Sequence, residues 1–235
     1  MATPGELVHT VAKALGIPQA TVVQYDRNLA AAGLRTKSGR GPSAAQVTSE
    51  DAANLLIAIC GAPASGAAIK EAVETCERYR LLQAYGVNSK SKSGPFARLK
   101  LHCPTLGRLP ERHEFGRAIA ALIDSVAAGE FGYPRDPFLY PYVSVRLDGP
   151  TPAGAIFIDF RRKIHVSYRK SDDFQPDQGD FRQERRFGFA TLQQIATLVG
   201  SRIGPISDDK YADRMAPDSL RRTLFGNWMP NDAAD

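Results

Sequence analysis

The chain has 235 residues, 43% of them hydrophobic and 23% charged, with a formal net charge of +5. That balance is too apolar for a disordered chain, and no stretch reaches the roughly 18 uncharged apolar residues that a membrane helix needs. Cys60, Cys76 and Cys103 are odd in number and far apart, which argues against a disulfide framework or a zinc ribbon and predicts reduced, packed thiols. The first ten residues, MATPGELVHT, carry neither a basic head nor an apolar run, so the expected location is the cytoplasm, with no membrane partner. The basic excess favours acidic partners without naming one, and the length suits two domains.

In chain order, Leu7, Val8, Val11, Ala12 and Leu15 recur at helical spacing until Gly16 breaks the run. Ile17 and Pro18 lead into a second helix whose Val22, Tyr25 and Leu29 share one face, and Gly33 stops it. Gln19, Thr21, Gln24, Arg27 and Asn28 lie away from that face. The following LRTKSGRGPSAAQVT has a strand-like start, a Gly39-Arg40-Gly41-Pro42 tip and a return ending at Val47. Thr48 or Ser49 is placed to cap a third helix over EDAANLLIAI, with Glu50 and Asp51 in its first turn where the helix dipole favours them.

Ala12, Gly16 four residues later and Val22 six later still, flanked by Val11, Leu15, Ile17 and Tyr25, resemble the helix-turn-helix of DNA-binding regulators. A small residue is needed where the helices cross, and a glycine turns the chain at low steric cost. The basic glycine tip that follows looks like the wing of a winged helix. The resemblance covers residues 1–62. It implies a second helix, 18–32, in the major groove of duplex DNA and a wing, 34–47, on the backbone or in the minor groove. The DNA-binding residues it implies are Gln19, Thr21, Gln24, Arg27, Asn28, Arg35, Lys37 and Arg40. Glutamine and asparagine pair bidentately with adenine, and arginine with guanine.

Residues 63–95 read as a connecting helix, with Ile69, Val73, Cys76, Tyr79 and Leu82 or Gln83 at three-to-four spacing, followed by a basic linker bearing Lys90 and Lys92. From Phe96 the pattern changes. FARLKLHC alternates as a strand would, and ERHEFGRAIAALIDSVAAGEF is an amphipathic helix through Phe115, Ile119, Leu122, Ile123 and Val126. YVSVRL, GAIFIDF, KIHVSYRK and ERRFGF then read as strands, and Leu192, Ile195, Ala196 and Val199 as a closing helix. The expected class is α+β: a winged helix-turn-helix, then, over 96–205, an antiparallel sheet with helices on one face, for oligomerisation or sensing. A tail over 206–235 carries a short helix, Pro217 to Phe225, followed by Trp228 and Met229.

No catalytic residues, metal site or cofactor are expected. His9, His102, His113 and His165 fall on different elements without ligand spacing, and Asp172, Asp173, Asp177 and Asp180 read as a polar loop rather than a calcium loop. Arg161, Arg162, Lys163, Arg169, Lys170, Arg182, Arg185 and Arg186, interleaved with Phe160, Tyr168, Phe181 and Phe187, read either as a charged outer sheet face or as a second nucleic-acid surface. The expected function is sequence-specific transcriptional regulation by a homodimer on double-stranded DNA, with any small-molecule effector open. The alternatives are a replication-initiation or packaging protein of a phage or plasmid, or an enzyme acting on nucleic acid.

Overall fold

Thr3 and Glu6 start the first helix by capping each other. The Glu6 amide donates to the Thr3 hydroxyl at 3.3 Å and the Thr3 amide donates to the Glu6 carboxylate at 2.6 Å, at the head of α1 (Pro4–Leu15). The computed structural model that carries these contacts describes residues 2–36, 46–63, 68–85, 94–131, 141–160, 162–170 and 182–200. Gly16 ends α1 at φ 66°, in the left-handed region that glycine enters without strain, and the chain turns into α2 (Gln19–Ala32). Val11 and Ala12 on α1, and Val22, Tyr25 and Leu29 on α2, are buried.

Thr48 caps α3 (Ser49–Cys60) by the same reciprocal device, with Asp51 as its partner. This helix is apolar almost all round, so it can be stable only if covered on every side. It is buried from Asp51 to Cys60 except at Asn54, and α2, α4 (Ala72–Arg80), α6 (Phe115–Ala127) and α7 (Phe189–Val199) all pack against it. One continuous hydrophobic core runs from Ala2 to Ala196. The two units expected at 1–62 and 96–205 share it, because α1 packs on α7 as α3 packs on α6.

The sheet has five antiparallel strands in the order β1-β4-β3-β2-β5: β1 (Gln83–Tyr85), β2 (Tyr142–Gly149), β3 (Ala153–Phe160), β4 (Arg162–Arg169) and β5 (Gln183–Gly188). Period-two alternation turns Val143, Val145, Leu147, Ile156, Ile158, Ile164, Val166, Tyr168 and Phe187 inward, under the helices. Phe115 at the start of α6 seats on this face, its ring 4.7 Å from that of Tyr168 and directly over Gly154, where an added Cβ would come within 2.8 Å of the ring. The chain is therefore α+β, with its helices on one face of an antiparallel sheet.

Two elements differ from expectation. The segment 96–103 is not a strand but a 3-10 turn (Ala97–Leu99) leading to the short α5 (Pro104–Gly107). Its buried residues, Phe96, Leu99, Cys103 and Leu106, follow a helical three-to-four period, whereas Leu101, which alternation would bury, is 87% exposed. The sheet also gains an edge strand, β1, in the stretch read as the end of the connecting helix. The tail over 206–235, the 86–93 linker with Lys90 and Lys92, and the Asp172–Asp180 loop lie outside the described residues.

Under the sheet, His113 is buried with both ring nitrogens engaged, Nδ1 donating to the Pro110 carbonyl at 2.7 Å and Nε2 accepting from the Tyr168 hydroxyl at 2.9 Å. Burial lowers its pKa from the ordinary 6.5, with Arg117 adding to the effect and the Pro110 bond opposing it. The neutral ring is thus favoured in the folded state. Its contribution to stability is complete above the unfolded value and is lost as pH falls toward the lower, folded one. We expect NMR to find the His113 imidazole titrating below the ordinary 6.5 in the folded protein, and the unfolding free energy to fall as pH drops below that value; a His113 that titrates at or above 6.5 in the folded protein contradicts this.

Candidate nucleic-acid interface

The 3.6-residue period of α2 places Val22, Tyr25, Asp26 and Leu29 in the core and leaves Ala20, Gln24, Arg27 and Ala31 exposed along one stripe at spacings of four, three and four. Gln24 and Arg27 sit at the middle of the stripe, with an alanine to either side that keeps the helix surface low. Neither side chain has a protein partner among the described residues. The helix differs from α1 and α3 at its start, because Pro18 supplies no side-chain cap and the first turn holds no acid. An uncapped, acid-free first turn is compatible with an approaching phosphate.

The other expected contact residues have varied surroundings. Gln19 is exposed and accepts from His9 Nδ1 at 3.3 Å, and Thr21 is half-buried. Asn28 donates through Nδ2 to the Ile69 carbonyl at 2.7 Å, tying α2 to the approach of α4. Arg35 turns inward, its Nε 2.7 Å from Asp26 Oδ1, with 12% and 10% of the two side chains exposed. The atoms are close without the alignment of a directed hydrogen bond, so charge holds them. Burial raises the Asp26 carboxyl above its ordinary pKa, while Arg35 pulls it back down. Asn28 and Arg35 therefore have structural partners in this fold.

Lys37 and Arg40 lie outside the described residues, but the residues that flank them, up to Thr36 and from Gln46, are described. Asp51 gathers the two flanks: Oδ1 accepts from the Thr36 amide at 2.7 Å and its hydroxyl at 3.2 Å, and Oδ2 accepts from the Thr48 amide at 2.9 Å and its hydroxyl at 3.0 Å. The chain that leaves at residue 36 and returns at 48 is thus closed at the base by one carboxylate. Of the expected strand-like start, the described residues 34–36 are not in a strand, and among the described residues Thr36 and Thr48 meet at the Asp51 carboxylate.

The second basic cluster divides by the pleat. Tyr168 and Phe187 face the core, and Phe160 packs on Phe131 at 5.3 Å between ring centroids. Arg185 also points inward, donating to the Ile59 carbonyl at 2.9 Å near the end of α3. Arg161 and Phe181 are outside the described residues. Tyr142 and Phe157, beside His165, and Tyr85 on β1 are instead the aromatic residues on the outer face among the described residues. Two-residue parity in YVSVRL, GAIFIDF and KIHVSYRK carried this signal; adjacency in sequence did not.

Among the described residues, no three His, Cys, Asp or Glu side chains converge to hold a metal. All three cysteines are buried and unpaired, with burial pushing each thiol up to about 12, so none is a ready nucleophile. No helix among the described residues is long and apolar enough to cross a membrane. No family model matches the chain, and no curated protein or solved structure matches it either.

Removing one member of a nearly buried ion pair strands the other. We expect Arg35→Ala to lower the unfolding free energy by roughly 3 kcal/mol, and Arg27→Ala, on the exposed stripe, to change it by less than about 0.5 kcal/mol. Chemical denaturation of both variants checks this, and equal losses would contradict the different placements.

Proposed function

We propose that this protein is a sequence-specific duplex-DNA-binding regulator of the winged helix-turn-helix kind, acting in the cytoplasm, with α2 entering the major groove. The observation that carries the reading is the exposed stripe of α2. A helix that follows a left-handed Gly16 turn, and is anchored by Val22, Tyr25 and Leu29, presents Gln24 and Arg27 to solvent between two alanines. Glutamine reads the N6 and N7 edge of adenine, and arginine the O6 and N7 edge of guanine. The small flanking residues allow the helix backbone to approach the base edges.

The segment over residues 37–45 supplies Lys37 and Arg40. Asp51 holds the residues that flank it, Thr36 and Thr48, at the start of α3, and α3 packs against α2. In this reading the segment neutralises phosphate and adds affinity common to all sequences. One such head makes few phosphate contacts, so two copies on two half-sites are the expected binding unit. Arg35 and Asn28 support the head and do not read DNA.

Single substitutions separate these roles. Gln24→Ala and Arg27→Ala are expected to relax preference at particular base pairs by about 1–3 kcal/mol each, whereas Arg40→Ala weakens binding to every duplex and lowers the salt slope by about one. Fluorescence anisotropy over a panel of single-base-pair variants, repeated at several salt concentrations, distinguishes the two patterns. Uniform losses from Gln24→Ala and Arg27→Ala would remove the base-reading role, and unchanged binding in all three would remove the DNA-binding assignment.

A further inference from the structure

The outer face of the sheet is the surface that the proposed function leaves unused. One solvated face of an antiparallel sheet is ordinarily polar. Here Tyr142 is 56% exposed, and its ring meets that of Phe157 at 5.6 Å and 68°, while Phe157 meets the His165 ring at 6.4 Å and 58°. The register explains the row: Phe157 pairs with His165 across β3 and β4, and Tyr142 is the next outward residue on β2 from Ser144, the other partner of Phe157. Among the described residues no helix covers these rings.

The row walls a cleft of about 280 Å³. The small residues Ser144 and Ala155 and the arginines Arg146 and Arg186 complete its lining. Those two arginines are direct register partners on β2 and β5. Like charges placed opposite one another disfavour the pairing unless an anion lies between them. Glu184 supplies part of that charge, contacting Arg186 and lying 3.6 Å from Arg146, which also meets Asp148 at 3.2 Å. All of these side chains are 29% to 55% exposed, so water and added anions reach them. At the other edge, the Arg169 guanidinium lies 5.6 Å over the ring of Tyr85, itself 61% exposed, and Lys163 meets Asp159 at 3.5 Å.

Outward rings on β1, β2, β3 and β4 and exposed cations on β2, β4 and β5, across a sheet about 19 Å wide at ordinary strand spacing, match one class of ligand. Unpaired bases stack on aromatic rings whatever their sequence, and the phosphates between them are neutralised by arginine and lysine. In a duplex the base faces are hidden in the stack, so this surface would select against double strands. We propose that the outer sheet face binds single-stranded nucleic acid, with bases stacked on Tyr142, Phe157 and His165 and phosphates at Arg146 and Arg186. The outer-face cations Arg146, Lys163, Arg169 and Arg186 outnumber the acids Asp148, Asp159 and Glu184, which gives the complementary sign.

This site is independent of α2, and the test keeps the two apart. A dye-labelled twelve-nucleotide thymidine single strand is titrated with the intact protein, with anisotropy as the readout and thymidine monophosphate as competitor. Salt-dependent binding is expected, weakened about 5- to 100-fold by Tyr142→Ala and by Phe157→Ala. Tyr142→Trp is expected to keep it, Arg27→Ala to leave it within twofold, and the mononucleotide to compete only weakly. Tyr142 is exposed, so its alanine variant reports on binding even if Phe157→Ala disturbs folding. Binding that ignores both substitutions, or that Arg27→Ala abolishes, overturns the proposal. So does sedimentation showing that the face holds a second copy of the chain, with self-association lost in Tyr142→Ala and no strand bound.

Discussion

Burial of α3 on every side is the constraint from which the rest of the architecture follows. SEDAANLLIAIC has no polar stripe wide enough to face water, so neighbours must cover its whole circumference. The cover comes from α2 on the N-terminal side and from α4, α6 and α7 on the other. That requirement merges the N-terminal helices with the sheet-bearing part of the chain into one core. The α1–α2 pair packs on α3, α4 and α7 and so shares one core with the sheet.

The polar ends of the same helix organise the surface. Asp51 at its start draws Thr36 and Thr48 together, Asn54 donates to the Leu34 carbonyl at 2.8 Å, and Arg185 reaches from β5 to the carbonyl of Ile59. Asp51 itself is buried, and leaving such a group without its hydrogen bonds costs about 1–3 kcal/mol. Together these bonds fix Leu34, Thr36 and Thr48 around the start of α3 and join β5 to its end. Arg35 and Asn28 belong to the same scaffold, and this leaves Gln24 and Arg27 as the exposed polar pair at the middle of α2. The proposed reading head is thus a small exposed remainder on a rigid base.

The helices and the four long strands were legible because their periods are strong: Phe115, Ile119, Leu122, Ile123 and Val126 mark α6, and alternation marks β2 to β5. β1 was not, since three residues are too few to show a period. Residues 96–103 satisfy alternation and a helical period at once, and only the burial of Phe96 with Leu99 and Cys103 decides between them. Of the site, the outward placement of Gln24 and Arg27 could be read from the helix period. The partners of Asn28 and Arg35 could not: Ile69 is 41 positions from Asn28, and nothing local marks Asp26 as a buried acid. The aromatic row on the outer sheet face was within reach of a strict parity reading. Grouping basic and aromatic residues by closeness in sequence selected Tyr168 and Phe187, which lie on the wrong side of the pleat.

The central claim is that α2 reads duplex DNA, and selection from a random duplex pool with the intact chain tests it most directly. The account predicts enrichment of a motif with two half-sites about one helical turn, roughly 10 base pairs, apart. It also predicts affinity for that motif well above that for bulk DNA at the same salt. Weak binding that rises and falls with salt alone, with no sequence enriched, would contradict it and reduce the basic charge to a general attraction for polyanions.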